Sequence, residues 1–217
     1  MGANGANAFD YVAQRAGVAP AFWGRYIGGR FAVTSSEAAF LHGKGARILV
    51  TYNGATDSPD SVRGTFAEGQ NDAGKAASGA MALHIPAGVA IYADIEGSWL
   101  VNPQWLEGWV AALAQKKYAP GFYGDCTPTS PFAVSYCAAR KANPALPASL
   151  LWSMEPELNS SKCHAGSQAP AYSPALPACG ESAVLWQYSE GCWEDVMGVN
   201  AGVDMDLAMD AAMAVMW

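Results

Sequence analysis

Short apolar segments recur along the chain, separated by polar, glycine-containing and proline-containing stretches. Their near-continuous apolar character is typical of parallel strands that are buried on both faces. Eight of them predict strands: residues 8–12, 22–27, 47–52, 89–95, 121–124, 149–153, 183–188 and 202–207. No linker is long enough to divide the chain, so we predict a single domain over residues 1–217.

Helical segments are predicted between most of these strands. Ser35 is predicted to cap a short helix, and an alanine-rich helix is expected over residues 65–83. Pro103 is expected in the first turn of an amphipathic helix. A helix over residues 132–141 and a last Ala/Met-rich helix complete the series. Eight strands and these helices predict an α/β fold, a single (β/α)8 TIM-like barrel.

A doubly wound α/β sheet is the competing architecture. No G-x-G-x-x-G or Walker sequence follows any strand, and the barrel is therefore favoured. Residues 155–181 are rich in Pro, Ser, Ala and Cys and predict a long irregular loop, a kind of segment that is usually functional or cross-linked.

Composition narrows the function classes. Lys and Arg total 12 against 19 Asp and Glu, which gives a net charge of −7, and only 14% of residues are charged against 51% hydrophobic. These values exclude intrinsic disorder and argue against a nucleic-acid partner, which would require a basic surface. The chain has 8 Trp, 9 Tyr and 7 Phe, which suits an uncharged polar ligand such as a sugar, although aromatic residues also fill cores. No apolar stretch is long enough for membrane insertion.

Five cysteines lie in the C-terminal half, and none has the C-x-x-C spacing of a zinc site. They are Cys126, Cys137, Cys163, Cys179 and Cys192. Two disulfides with one cysteine left over are expected, with scattered buried thiols as the alternative. We therefore expect a secreted or cell-envelope protein whose leader has been removed, while a cytoplasmic location stays open.

Asp94 and Glu96 are the most informative residues. They lie two positions apart at the end of a predicted strand, so both side chains share one face, roughly 6–7 Å apart along the backbone. In a parallel barrel this end of the strands holds the active site. One carboxyl of such a pair is expected to hold a proton while the other stays ionised, as glycoside hydrolysis requires. The alternative is that one caps the next helix or binds an arginine.

Further candidates lie at other strand ends. Asp10 and Asp204 are predicted to support the catalytic pair, and Asp125 is a weaker candidate. The predicted substrate-binding residues are Arg25, Tyr52, Asn53, Tyr123, Trp152, Trp186, Gln187 and Asp206. No cofactor and no metal are predicted, with a carboxylate-bound Mg²⁺ as a minor alternative. No serine nucleophile elbow is present.

Short motifs along nearly the whole chain resemble a known family. The motifs are Phe9-Asp-Tyr11, Gly24-Arg-Tyr26, Thr34-Ser-Ser-Glu37, Ile48-Leu-Val-Thr-Tyr52, Gly69-Gln-Asn-Asp-Ala73, Ile85-Pro-Ala-Gly-Val-Ala-Ile-Tyr-Ala-Asp-Ile-Glu96, Gly121-Phe-Tyr-Gly124, Leu185-Trp-Gln-Tyr188 and Gly202-Val-Asp-Met-Asp206. In this order they resemble domain-of-unknown-function family 1906, a glycoside-hydrolase-like group. That group is similar to the family 25 glycoside hydrolases, lysozymes that cut peptidoglycan.

The resemblance implies a TIM-like barrel with an acidic rim. It implies Glu96 as general acid/base, Asp94 as its partner, and Asp10 and Asp204 as supporting carboxylates. The sequence departs from the lysozymes at Asp206, where they more often have Asn or a similar polar residue, and in the cysteine-containing loop.

We therefore expect a monomeric glycosidase that cleaves peptidoglycan or a related bacterial polysaccharide. The alternative from another class is a non-catalytic glycan-binding barrel that retains the acidic rim. A cytoplasmic protein of unrelated function would be favoured if all five cysteines were free thiols.

Overall fold

The structure, a computed structural model, describes residues 4–29, 31–143, 146, 149–154, 163–192 and 202–217. One curled sheet contains seven strands in chain order, six of them parallel, and the last antiparallel to its neighbour. The strands are β1 (Phe22–Tyr26), β2 (Arg47–Tyr52), β3 (Ala90–Asp94), β4 (Ala119–Asp125), β5 (Leu150–Met154), β6 (Ala183–Cys192) and β7 (Val203–Ala208).

Helices precede or connect most of the strands. They are α1 (Asn4–Ala16), α2 (Ser35–Gly43), α3 (Phe66–Ala82), α4 (Pro103–Gln115), α5 (Pro131–Ala142) and α6 (Asp210–Met213). Thr34, one residue before the predicted cap, accepts the Glu37 amide hydrogen bond at the start of α2. Gly69 and Gly108 let α3 and α4 pack closely, because a Cβ on either would overlap the backbone of the other helix.

The prediction of a strand over residues 8–12 is wrong, because these residues lie within α1. Ala8, Val12 and Ala16 are four residues apart, which places them on one helical face. Phe9 packs edge-on against Trp23 with their ring centroids 5.5 Å apart. The described residues therefore form a seven-stranded, mostly parallel sheet in an α/β fold, and not the predicted eight-stranded barrel.

Alternate residues of each strand enter two apolar layers on opposite faces of the sheet. The outer layer, against the helices, includes Ile48, Val50 and Ile91. The inner layer includes Leu49, Tyr92, Tyr123, Trp152 and Leu185, together with residues of α6. Backbone hydrogen bonds join Trp217 to Ile48, so the end of the chain lies beneath the sheet, at the amino ends of the parallel strands.

Two disulfides stabilise the long segment before β6, and the prediction of two with one cysteine left over is confirmed. Cys137–Cys179 links this segment to α5, and Cys163–Cys192 links it to the end of β6. Cys126 is buried and belongs to neither disulfide. No helix among the described residues has the length and apolar character needed to cross a membrane.

Candidate active site

Five acidic side chains gather at the carboxyl ends of the parallel strands, and we call this group the acidic rim. Its members are Asp94, Glu96, Glu190, Asp204 and Asp206. Asp94 ends β3, and Glu96 follows two residues later. Because β7 is antiparallel, it begins at this edge of the sheet. Asp204 is therefore near the edge and Asp206 lies one inward position deeper, beside Gln187.

Asp94 is the buried member of the predicted pair, with 7% of its surface exposed. Burial raises the pKa of Asp94 to about 7, and the nearby carboxylates of Glu96 and Asp204 add to the effect. A hydrogen bond from the Tyr26 hydroxyl stabilises the charged form and partly opposes the rise. Asp94 therefore exchanges a proton near neutral pH, whereas Glu96 is exposed to solvent.

Glu190 and Asp204 lie on neighbouring strands where the pairing is irregular. Ser189 pairs with Met205 and Cys192 with Val203, which leaves Glu190 and Gly191 opposite Asp204. The Gly191 amide donates a 3.0 Å hydrogen bond to Asp204 Oδ1. Burial raises the pKa of Glu190, and Asp204 and Glu96 reinforce the rise.

The pKa of Asp204 is also raised, because the surrounding protein displaces water around the carboxyl, and the Gly191 amide opposes this effect. The side chain of Asp204 nevertheless stays in contact with solvent at the edge of the sheet. Asp204 can therefore contact both a bound ligand and the buried carboxyls beneath it.

Aromatic and amide side chains close the base of the acidic rim. Trp152 Nε1 donates a 2.8 Å hydrogen bond to Asp206 Oδ1, and the Tyr123 hydroxyl donates a 2.7 Å bond to Gln187 Oε1. The Tyr123 and Trp152 rings meet edge to face at 4.6 Å. Burial raises the pKa of Asp206 well above its ordinary value, Asp204 adds to the rise, and the Trp152 bond opposes it.

A cavity of about 600 Å³ opens beside this network, between the edges of β1 and β7, and we call it the seam cavity. Consecutive residues of both strands line it, and α1 covers it from outside. Tyr26, Trp152, Gln187, Asp204 and Asp206 contribute to its lining, so the cavity is continuous with the acidic rim.

Two predicted site residues form ion pairs of their own. Arg25 Nε donates a 2.6 Å hydrogen bond to Glu37 Oε1, and both side chains are buried. Asp10, on α1, forms a 2.8 Å ion pair with Lys44 in which both side chains are about half exposed. The structure therefore does not bring Asp10 to the acidic rim, because the segment that carries it is a helix and not a strand.

Tyr52 and Trp186 belong to packing layers away from the acidic rim. Tyr52 lies 5.8 Å from Trp109 in the outer layer, where burial raises its pKa to about 12 and Asp72 contributes. Trp186 packs against Tyr172 and Tyr188.

Two further candidates lie at the end of a strand and directly after one, Asp125 as the last residue of β4 and Asn53 after β2. Asp125 Oδ1 accepts hydrogen bonds from the amide and hydroxyl of Thr127 and so stabilises a turn. Asn53 follows β2, partly buried, near Gly29 in the loop after β1.

Sequence reasoning missed Glu190 and Tyr26. Regular alternation from the inward Gln187 would turn Glu190 outward, but the register shifts of β6 against β7 bring it to the acidic rim. The position of Tyr26 could be predicted from its sequence, because Phe22, Gly24 and Tyr26 are two residues apart along β1 and so lie on the same face of the strand.

The described residues contain no group of three or more His, Cys, Asp and Glu arranged to hold a metal ion. The acidic rim combines an exposed carboxyl, Glu96, with a buried one, Asp94, that can hold a proton at neutral pH. Such a pair can donate and accept protons and can stabilise a positive charge that develops on a bound molecule.

Solved structures share this fold. An uncharacterized B. stearothermophilus protein is 28% identical, with a TM-score of 0.84 over 97% of this chain and 94% of that one. The Mycobacterium tuberculosis Tat-secreted protein Rv2525c is 18% identical, with a TM-score of 0.59, and the alignment covers 94% of this chain and 90% of that one. GHIP, a glycosyl hydrolase 25 of Streptococcus pneumoniae, is 14% identical, with a TM-score of 0.55, and the alignment covers 95% of this chain and 83% of that one.

A comparison with curated protein sequences finds no match. The model of one family, the Rv2525c-like, glycoside hydrolase-like domain, matches residues 17–208. The match confirms the resemblance inferred from the motifs, although Phe9-Asp-Tyr11 lies outside it. The chain belongs to the Rv2525c-like, glycoside hydrolase-like domain family.

Proposed function

We propose that the protein is a glycoside hydrolase that cleaves peptidoglycan or a related bacterial polysaccharide. The observation that carries this proposal is the pair of carboxyls at the end of β3: Asp94 is buried with a pKa of about 7, and Glu96 is exposed beside it. Glycoside hydrolysis requires one carboxyl that transfers a proton and a second that stabilises the oxocarbenium-like transition state.

Glu96 is the proposed general acid/base, because its exposed side chain can reach the oxygen of a glycosidic bond above the acidic rim. Asp94 is the proposed partner. With a pKa of about 7, Asp94 is ionised in about half of the molecules at neutral pH, and this form stabilises positive charge on the sugar ring. The protonated form can donate a hydrogen bond to the acetamido group of an amino sugar.

Asp204 and Glu190 add negative potential around the same space, which favours a cationic transition state over a neutral ground state. Trp152 and Tyr123 form the base beneath the sugar. Their hydrogen bonds to Asp206 and Gln187 hold the two rings in place.

Structural neighbours support the choice of substrate. The Streptomyces coelicolor lysozyme has a TM-score of 0.54 at 14% sequence identity. The Streptococcus pneumoniae autolysin LytC, which was solved with a synthetic peptidoglycan ligand, has a TM-score of 0.51 at 14% sequence identity. Two disulfides, together with the description of Rv2525c as Tat-secreted, support a location outside the cytoplasm. We propose that the protein acts there as a monomer and without a cofactor.

The test compares release of reducing ends from purified bacterial cell walls by the wild type, Glu96→Gln and Asp94→Asn. Loss of an acid/base group is expected to slow release by about 10²–10⁴-fold, and Asp94→Asn is expected to reduce it substantially. Glu107→Gln, on α4, is the matched control and should leave the rate unchanged.

Equal rates for the wild type and Glu96→Gln would overturn the proposal. If the wild type released nothing but bound the cell walls, the acidic rim would belong to a glycan-binding protein.

A further inference from the structure

The seam cavity lies where the sheet does not close. In the described part of the chain, β1 and β7 do not pair with each other, and each forms one edge of the sheet. Helix α1 lies across the gap and lines it with Ala8, Val12 and Ala16, a face of small apolar side chains. Its volume of about 600 Å³ falls within the range of pockets that hold small organic molecules.

The lining changes in character along the cavity. Phe22, Ala208 and Met213 are apolar and adjoin the inner layer of the sheet. Tyr26 and Asp206 lie where the cavity meets the acidic rim. A ligand that matches this lining has an apolar body and a polar end that forms hydrogen bonds.

The charges that line the cavity restrict the chemistry of the ligand's polar end further. Arg25 is the one cationic side chain among the described residues of the lining, and its guanidinium is paired with Glu37. Asp204 and Asp206 disfavour a phosphate or carboxylate head group in the same space. A neutral, hydroxyl-rich head group avoids this repulsion and offers donors to the carboxyl oxygens.

We propose that the seam cavity binds the alkyl chain of a neutral alkyl glycoside, with its sugar at the acidic rim. The placement of the sugar rests on the proposed function, whereas the binding of the chain rests on the cavity alone. The substrates of the protein would then include glycolipids with an uncharged sugar.

The experiment measures the affinity of n-hexyl, n-octyl and n-decyl β-D-glucoside by calorimetry, below their micelle concentrations. Each methylene buried in the cavity is expected to tighten binding about fourfold, and glucose alone should bind far more weakly. Affinities that do not depend on chain length would overturn the proposal.

Two variants fill the seam cavity from opposite sides without altering the acidic rim: Val12→Phe and Ala208→Leu. Either should abolish the dependence on chain length, while Val134→Phe, at an α5 position that is 56% exposed, should retain it. Circular dichroism checks that each variant is folded. A folded Val12→Phe and a folded Ala208→Leu that both keep the wild-type dependence would show that the chain binds elsewhere.

Two further outcomes separate this proposal from the glycosidase proposal. Binding of n-octanol as tight as that of n-octyl glucoside would overturn the placement of the sugar and leave an apolar pocket. Failure of the wild type to cut cell walls would overturn the glycosidase proposal, and the chain-length series would still test the cavity because binding needs no turnover.

Discussion

Trp152 Nε1 donates a 2.8 Å hydrogen bond to Asp206 Oδ1 and so connects β5 to the antiparallel strand β7. Between these two strands lies only β6, and Gln187 on that strand pairs with Asp206. The bond stabilises a carboxyl at the base of the acidic rim and positions an indole ring beneath the proposed sugar site.

Trp152→Phe is expected to lower the free energy of unfolding by about 1–3 kcal/mol, because Asp206 loses the donor that faces it. Trp186→Phe is the matched control. Trp186 Nε1 is buried without a hydrogen-bond acceptor in the described part of the chain, so its replacement removes no such bond. Urea unfolding of both variants measures the difference, and equal losses would contradict the role given to the Trp152 bond.

Stability is expected to fall as the pH rises from 5 to 7. The pKa of Asp94 is raised from 3.8 to about 7, so in this range the folded state holds a proton that the unfolded state has released. The free energy of unfolding should decrease by roughly 2–3 kcal/mol from this group alone. The raised pKa values of Glu190, Asp204 and Asp206 act in the same direction.

Asp94→Asn tests the assignment, since the amide has no proton to release. Its free energy of unfolding should depend less on pH, and above pH 7 the variant should be more stable than the wild type. Parallel pH curves for the two proteins, from urea unfolding at each pH, would place the titration on other groups.

The two disulfides are expected to differ in their effect on activity. They span sequence separations of 42 and 29 residues, so loss of either should cost about 3–4 kcal/mol of stability. Cys192 follows Gly191, whose amide binds Asp204, whereas Cys137 lies on α5.

Replacing Cys163 and Cys192 by serine should therefore lower the rate of cell-wall hydrolysis below that of the variant lacking Cys137 and Cys179. Both proteins are assayed at a temperature where circular dichroism shows them folded. Equal rates for the two variants would mean that the Cys163–Cys192 disulfide does not position the acidic rim.

Arg25→Met is expected to cost about 3–5 kcal/mol of stability, because it leaves the Glu37 carboxylate buried without its partner. Arg25→Met combined with Glu37→Met should recover most of the loss, since no charge is then left buried. Chemical unfolding measures both. A double variant as unstable as the single one would show that the ion pair itself, and not its burial, controls stability.

Much of the fold could be predicted from local pattern. Apolar runs identify β1 to β6, and in β2 and β3 these runs contain the β-branched and aromatic residues that favour strands. Residues 8–12 were misassigned because their partners on the helical face of α1, such as Ala16, lie outside so short a window.

The direction of β7 could not be predicted from the strand boundaries. The predicted strands over residues 183–188 and 202–207 leave 13 residues between them, which is enough for a parallel crossover. In the structure β6 extends to Cys192 and leaves ten residues before Val203, a length that fits an antiparallel return.

The candidate site was predictable where regular alternation holds. Asp94 ends β3 and Glu96 lies two residues beyond it, close enough for their charges to interact, and Asp204 lies at the same edge even though its strand runs the other way. Glu190 could not be predicted, since an irregular register reverses the face of a strand and leaves no mark in its sequence. The ion pair of Arg25 with Glu37 could not be predicted, because Glu37 lies on the helix that follows β1 and strand alternation says nothing about that contact.

Product analysis tests the central claim most directly. Purified peptidoglycan is digested with the wild type, the products are reduced with borohydride, and mass spectrometry identifies the newly formed ends. A glycosidase that depends on the acidic rim predicts reduced amino-sugar ends, which are absent after digestion with Glu96→Gln. Soluble fragments with no new sugar ends, or the same ends in equal yield from Glu96→Gln, would contradict the account.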